Sequence, residues 1–182
     1  MNLSIFGLGY VGSVSMACFA RDGHVVVGVD VNTQKVESIR LGKSPIIEPD
    51  LDRLLKNGVE NGRIRATTSA ASAVAESEAI LITVGTPSMK NGGLDTRYVE
   101  HVCEEIGQAL ADKVTYTVIA IRSTVLPGTA VNLFIPILEA KSGKKVGRDF
   151  GFCVNPEFLR EGSAIRDFDH PPYTIIGQYD ER

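Results

Sequence analysis

Residues 7–12 read GLGYVG, directly after the apolar run Leu3–Phe6, and this junction decides the fold. A short apolar run that breaks into glycines reads as a strand turning into a helix. Gly7 permits the tight reversal, Gly9 lets the backbone approach a pyrophosphate, and Gly12 lets the following helix pack closely. The helix start, with unsatisfied N–H groups and the positive end of the dipole, then faces an anion. Glycines in this pattern also arise for geometric reasons alone, so the neighbouring sequence has to decide.

Val11–Ala20 carries apolar residues at helical density, Gly23-His24 punctuates, and a second apolar run, Val25–Val29, ends at Asp30. That order is strand, turn, helix, turn, strand. Asp30 lies eighteen positions after Gly12, close to the spacing at which an acidic residue accepts hydrogen bonds from an adenosine ribose. A carboxylate there favours NAD because it repels the 2′-phosphate of NADP; Lys35 is close enough in sequence to offset the repulsion.

The rest of the chain fits one soluble domain. Its 182 residues are 43% hydrophobic and 23% charged, with a net charge of −3. That balance gives no electrostatic footprint for nucleic acid or an anionic membrane. The first apolar run is too short for a signal segment or a membrane span, so a cytoplasmic location is expected. Cys18, Cys103 and Cys153 are far apart, and His24, His101 and His170 show no ligand-like spacing, so neither a disulfide framework nor a metal site is expected. Cys18 and Cys103 fall on apolar helix faces. Cys153 sits in a strand pattern with no neighbouring histidine to activate it.

Further apolar runs at Ala79–Val84, Thr117–Ile121, Phe152–Val154 and Thr174–Ile176 read as strands buried on both faces. Between them, 95–112 has the three- and four-residue apolar spacing of an amphipathic helix, with Asp95 placed to cap it. Pro127–Ala140 also reads as a helix, starting at Pro127 and kinked at Pro136. Gly42–Asn61 reads as a loop followed by a short helix ending near Asn57-Gly58. Strands alternating with helices predict an α/β domain over residues 1–182 with a doubly wound parallel sheet, a Rossmann-like dinucleotide-binding fold.

In such sheets the ligand lies at the carboxyl ends of the strands. Three segments fall there: Gly85-Thr86-Pro87-Ser88, then 122–129 (RSTVLPGT), then 155–162 (NPEFLREG). Thr86 and Thr124 are either ligand contacts or ordinary turn residues. Glu157 and Glu161 are either site carboxylates or the acidic start of a helix.

GLGYVG, STVLPGT and NPEFLREGSAI, in this order with GTPS between, resemble the N-terminal NAD-binding domain of the UDP-glucose/GDP-mannose dehydrogenase family, across essentially the whole chain. GKSPIIEPDLDRLL and VGTPSMKNGGLDTRYVE resemble its GDP-mannose 6-dehydrogenase branch, which supplies GDP-mannuronate for alginate-type polysaccharides. The resemblance implies that Tyr10 and Val11 contact the pyrophosphate through their backbone and that Asp30 and Lys35 hold the adenosine ribose. It puts Thr86 and Thr124 along the nicotinamide half. Glu157 would activate water, working with Thr124, while Phe158, Leu159, Arg160 and Glu161 would touch the sugar nucleotide.

Such enzymes oxidise a sugar C6 alcohol to a carboxylate in two NAD-dependent steps, the second through a cysteine thiohemiacetal and thioester. The family draws that thiol from a glycine-rich segment further along the chain, in a longer homo-oligomeric protein. An isolated cofactor domain, binding NAD but inactive alone, is therefore expected, with GDP-mannose or UDP-glucose as the sugar nucleotide. Two other readings stay open: a single-step dehydrogenase of the hydroxyacyl or gluconate type, which has no reason to carry NPEFLRE, and a non-catalytic NAD-binding module.

Overall fold

A computed structural model describes residues 1–90 and 92–179; Asn91, within the VGTPSMKNGG stretch, and the last three residues lie outside the described part. The first unit runs β1 (Asn2–Phe6), α1 (Tyr10–Arg21), β2 (Val25–Val29), α2 (Thr33–Arg40), α3 (Leu51–Glu60) and β3 (Ile64–Thr67). The second runs α4 (Ala70–Glu76), β4 (Ala79–Ile82), α5 (Arg97–Leu110), β5 (Val118–Ile121), a π-helical turn (Ala130–Phe134), α6 (Ile135–Ser142), β6 (Gly151–Val154), α7 (Ala164–Asp169) and β7 (Gly177–Gln178). The sheet order is β3-β2-β1-β4-β5-β6-β7. The chain therefore winds outward from β1 in one direction and from β4 in the other, which opens a crevice between those two strands.

β1 to β6 pair in parallel, with Ile5 of β1 held between Gly28 and Leu81. Val26, Val27, Ile80, Ile82, Ile119 and Ile121 are all buried, as strands covered on both faces require. One face packs on α4, α5 and α6 through Val99, Ile106, Phe134 and Leu138. The other packs on α1, α3 and α7 through Val14, Ala17, Leu55 and Ala164. Cys18 and Cys103 are buried in these two layers as small hydrophobes. No helix among the described residues is long and apolar enough to cross a membrane.

Three expectations are corrected. The last strand is not Thr174–Ile176: pairing is confined to Gly177–Gln178 and runs antiparallel to β6. Ile175 and Ile176 stay largely exposed, and the antiparallel β6–β7 pair makes the sheet mostly rather than wholly parallel. The Pro127–Ala140 helix starts later, at Ala130, and its first turn is π-helical. Pro136, with no N–H to return to the preceding turn, sits in the first turn of α6 and marks where π turns into α. The α3 helix runs on through Gly58 to Glu60; a Cβ on Gly58 would lie 2.4 Å from Ile64 Cδ1, so packing against β3 offsets the glycine's poor helix propensity. Of the two readings left open for Glu157 and Glu161, the helix start falls away, because 155–160 has no regular secondary structure and α7 begins only at Ala164. β3 was missed altogether: its four residues alternate, with Ile64 and Ala66 buried and Arg65 exposed.

The glycine turn closes by backbone contact. Gly7 has φ +103°, and a Cβ on Gly12 would sit 1.8 Å from the Gly7 carbonyl oxygen and 2.8 Å from Thr83 Oγ1. Gly12→Ala is expected to destabilise the domain by about 3 kcal/mol or more, because backbone rather than a flexible side chain must move; urea denaturation measures it.

Candidate functional site

At the crevice between β1 and β4 lies a cleft of 310 Å³ walled by Gly7, Gly9, Asp30, Lys35, Val84 and, from α5, Tyr98. The glycine turn forms its floor. Gly7 N donates to Val29 O (2.8 Å), and Thr83 Oγ1 donates to Gly7 O (2.8 Å), so both neighbouring strands fix the turn. No side chain caps α1 at Gly9, and its first turn holds no acidic residue. Asn32 and Ser69 cap α2 and α4, whereas α3, α5, α6 and α7 share with α1 the lack of a side-chain cap. A Cβ on Gly9 would meet nothing within 4 Å. Uncapped N–H groups facing open space at a helix start suit a pyrophosphate.

Asp30 does more than the sequence suggests. Its Oδ2 accepts from Leu8 N at 2.8 Å and from Lys35 Nζ at 3.3 Å, while Oδ1 accepts from Asn32 N at 2.8 Å. A carboxylate offers about four acceptor sites, so Oδ1 keeps one for a ligand hydroxyl. The same carboxylate thus steadies the glycine turn and keeps an acceptor site at the edge of the cleft. Lys35 reaches Asp30 and the cleft together, and its sequence position fits both.

The carboxyl-edge loops sort into separate groups. Thr86 Oγ1 donates to Thr124 O at 2.7 Å, which ties the loops after β4 and β5 together. Glu157, Phe158 and Leu159 wall a second cleft of 250 Å³ with Arg122 and Asn155; Thr124 is not among its walls. Arg122 Nη1 donates to Asn155 Oδ1 at 2.5 Å, while its Nε is buried without a partner among the described residues. Burial lowers the Arg122 pKa and the nearby Glu157 charge opposes that shift. Glu157 Oε2 accepts from Leu159 N at 2.6 Å. Arg160 is bound to Asp167 by its backbone N (2.9 Å) and guanidinium (2.6 Å); the guanidinium holds the Asp167 carboxyl well below the usual range. Glu161 is exposed.

Two features escaped sequence reasoning. One is the α5 wall of the first cleft, Tyr98, His101 and Glu105; the signal was there, since 98, 101 and 105 follow helical spacing beside the buried stripe. The other is Glu48, which sits buried in the loop before α3. It accepts from the Tyr10 hydroxyl, from Gly162 N at 2.7 Å and from Ala164 N at 2.9 Å. Only its place between Pro45 and Pro49 set it apart in sequence.

A doubly wound sheet with an uncapped glycine turn and an acidic residue ending β2 defines a dinucleotide-binding domain. Residues 1–182 match the description "UDP-glucose/GDP-mannose dehydrogenase family, NAD binding domain", and the chain belongs to that family. It is 55% identical over 181 residues to a GDP-mannose 6-dehydrogenase of Pseudomonas syringae pv. syringae, covering 100% of this chain and 41% of the relative. Identity to a UDP-glucose 6-dehydrogenase of Rhizobium meliloti is 40% over 178 residues, covering 97% and 39%. The crystal structure of a ternary complex of GDP-mannose dehydrogenase from Pseudomonas aeruginosa superposes with a TM-score of 0.98 at 53% identity, over 99% of this chain and 41% of that one. The chain thus spans about two fifths of the length of the curated relatives it matches.

Burial, reinforced by the hydrogen bond to Glu48, pushes the Tyr10 phenol up to about 12. Of the five tyrosines, Tyr10 is therefore expected to ionise late in an absorbance titration. Glu48→Gln is expected to move that phase part of the way back toward the ordinary value of about 10, and Tyr10→Phe to remove it.

Proposed function

We propose that this chain is the cofactor-binding part of a sugar-nucleotide 6-dehydrogenase that oxidises GDP-mannose to GDP-mannuronate in two NAD-dependent steps. The single observation that carries the substrate choice is the gap between 53–56% identity to GDP-mannose 6-dehydrogenases and 38–43% to UDP-glucose dehydrogenases. Supply of GDP-mannuronate to an alginate-type polysaccharide, in the cytoplasm and as a homo-oligomer, belongs to the same reading.

In this reading the N–H groups of Tyr10 and Val11 at the start of α1 hold the pyrophosphate, with Gly7, Gly9 and Gly12 giving it room. Asp30 Oδ1 accepts from the adenosine ribose, and Lys35 keeps the carboxylate oriented. Thr86 and Thr124, joined by their hydrogen bond, border the nicotinamide half. Bound NAD supplies the oxidising equivalent for each step. Glu157 takes a proton from the water that releases the acyl product, with Thr124 as its expected helper. Phe158, Leu159, Arg160 and Glu161 contact the sugar nucleotide. Arg122 would keep a positive charge beside Glu157, a role the sequence did not suggest.

In this reading the nucleophilic thiol is neither Cys18 nor Cys103. Burial pushes both the Cys18 and Cys103 thiols up to about 12, far from the thiolate character that a nucleophile needs.

The chain is expected to bind NAD in a calorimetric titration, to bind NADP at least about tenfold more weakly because Asp30 repels a 2′-phosphate, and to form no NADH from NAD and GDP-mannose by itself. A longer protein carrying this chain is expected to form two NADH per GDP-mannose and little with UDP-glucose; the reverse preference overturns the substrate assignment, and NADH production by the chain alone overturns the missing thiol. Gly9→Ala is expected to keep stability within about 1 kcal/mol, the cost of changing a helix N-cap. It should weaken NAD at least about tenfold, or about 1.4 kcal/mol, because its Cβ fills the space kept for the ligand.

A further inference from the structure

The glycine turn and the 155–163 segment are far apart in sequence, yet one carboxylate joins them. Glu48 is 9% exposed. Its Oε2 takes the Tyr10 hydroxyl and Gly162 N, and its Oε1 takes Ala164 N. The same Gly162 N also reaches the Tyr10 hydroxyl at 2.8 Å. Tyr10 is the first residue of α1, immediately beyond Gly9. Gly162 and Ala164 close the segment that holds Glu157 and Glu161. A buried carboxylate needs such a set of donors, and removing one leaves it costly.

The backbone around Glu48 is held in a specific geometry. Among the described residues, Asp50 is the sole non-glycine with positive φ, at +64°. It lies two residues after Glu48, and between them Pro49 locks its own φ. Strain of this kind persists where the surrounding structure demands one geometry. The Ser44 hydroxyl donates to Ile46 O at 2.6 Å and Ser44 N donates to Asp52 at 2.6 Å, so the loop is pinned on both sides of its bend.

We propose that Glu48 is a positioning residue that couples the cofactor turn to the 157–164 segment, so that a dinucleotide seated on the start of α1 orders the segment bearing Glu157 and Glu161. The coupling rests on the reading of the glycine turn as the pyrophosphate site. Anchoring the first turn of α1 fixes the Tyr10 side chain. Tyr10 fixes the Glu48 carboxylate, and Glu48 holds the amides of Gly162 and Ala164. Coupling between two sites is reciprocal: the factor by which NAD stabilises the closed segment equals the factor by which the closed segment tightens NAD.

Native-state hydrogen exchange on the 182-residue chain, with and without saturating NAD, tests this together with calorimetric NAD titration. In the wild type, NAD is expected to slow exchange at Gly162 and Ala164 by at least about fivefold, the low end of typical coupling. Glu48→Gln leaves one acceptor oxygen for two amides, so either Gly162 N or Ala164 N meets an NH2 group. It is expected to speed exchange of both amides without NAD, to abolish the slowing by NAD, and to weaken NAD by up to the same factor. Tyr10→Phe keeps the carboxylate on Gly162 and Ala164 but removes the link to α1. It should leave much of the protection seen without NAD and lose the response to NAD, which a purely structural Glu48 would not do. It also decides the matter if Glu48→Gln fails to fold. A wild type that binds NAD with no change at these amides, or a Tyr10→Phe variant with the full wild-type response, overturns the coupling alone. A flat NAD titration of the wild type overturns the cofactor site and the coupling together.

Discussion

The contact between the Gly7 carbonyl and the Gly12 α-carbon is the constraint on which the rest of this domain depends. It lets the chain leave β1 and enter α1 within a few residues, so the helix starts directly over the end of the strand. Val29 O on one side and Thr83 Oγ1 on the other grip the same turn. Because β1 and β4 are where the winding direction reverses, the turn borders open space rather than another crossover. The helix start is left without a side-chain cap, and its N–H groups keep their hydrogen-bonding capacity for an anion.

Asp30 extends that constraint to the second strand. It is usual to credit the acidic residue at the end of β2 with the ribose alone, but here Leu8 N claims one of its oxygens. The residue proposed to discriminate between dinucleotides is therefore also a strut of the glycine turn. Lys35, on the first turn of α2, meets the same oxygen at 3.3 Å and partly balances a carboxylate that is only 9% exposed. In the proposed reading, specificity and turn geometry share one side chain, so a change made for the first disturbs the second.

Much of this was legible in the sequence, for local reasons. GLGYVG, the run Val25–Val29 and Asp30 carry their meaning through spacing within about twenty residues, and the structure keeps that order; α5 was clear because its buried positions recur at helical steps. What failed was non-local. β3 has one charged residue in four and reads as a strand only once β2 is beside it. Gly58 looked like a helix stop because propensity is local, whereas Ile64 packs against it from the next element. Glu48 had no local signal of burial: its three donors come from α1 and from residues more than a hundred positions away. In the same way the Thr86 hydroxyl's partner lies in another loop, which no spacing rule reaches.

The two rims of the sheet carry a consequence for solubility. Strands at a sheet edge expose backbone groups that can template a neighbour. On one rim, β3 turns Arg65 outward, paired with Glu76 of α4; an incoming strand would have to strip water from that charge. On the other, β7 is only two residues long and includes a glycine, too little ladder to hold a guest. Among the described residues, neither margin offers a second chain a long bare ladder, although Ile175, Ile176 and Tyr179 are exposed nearby.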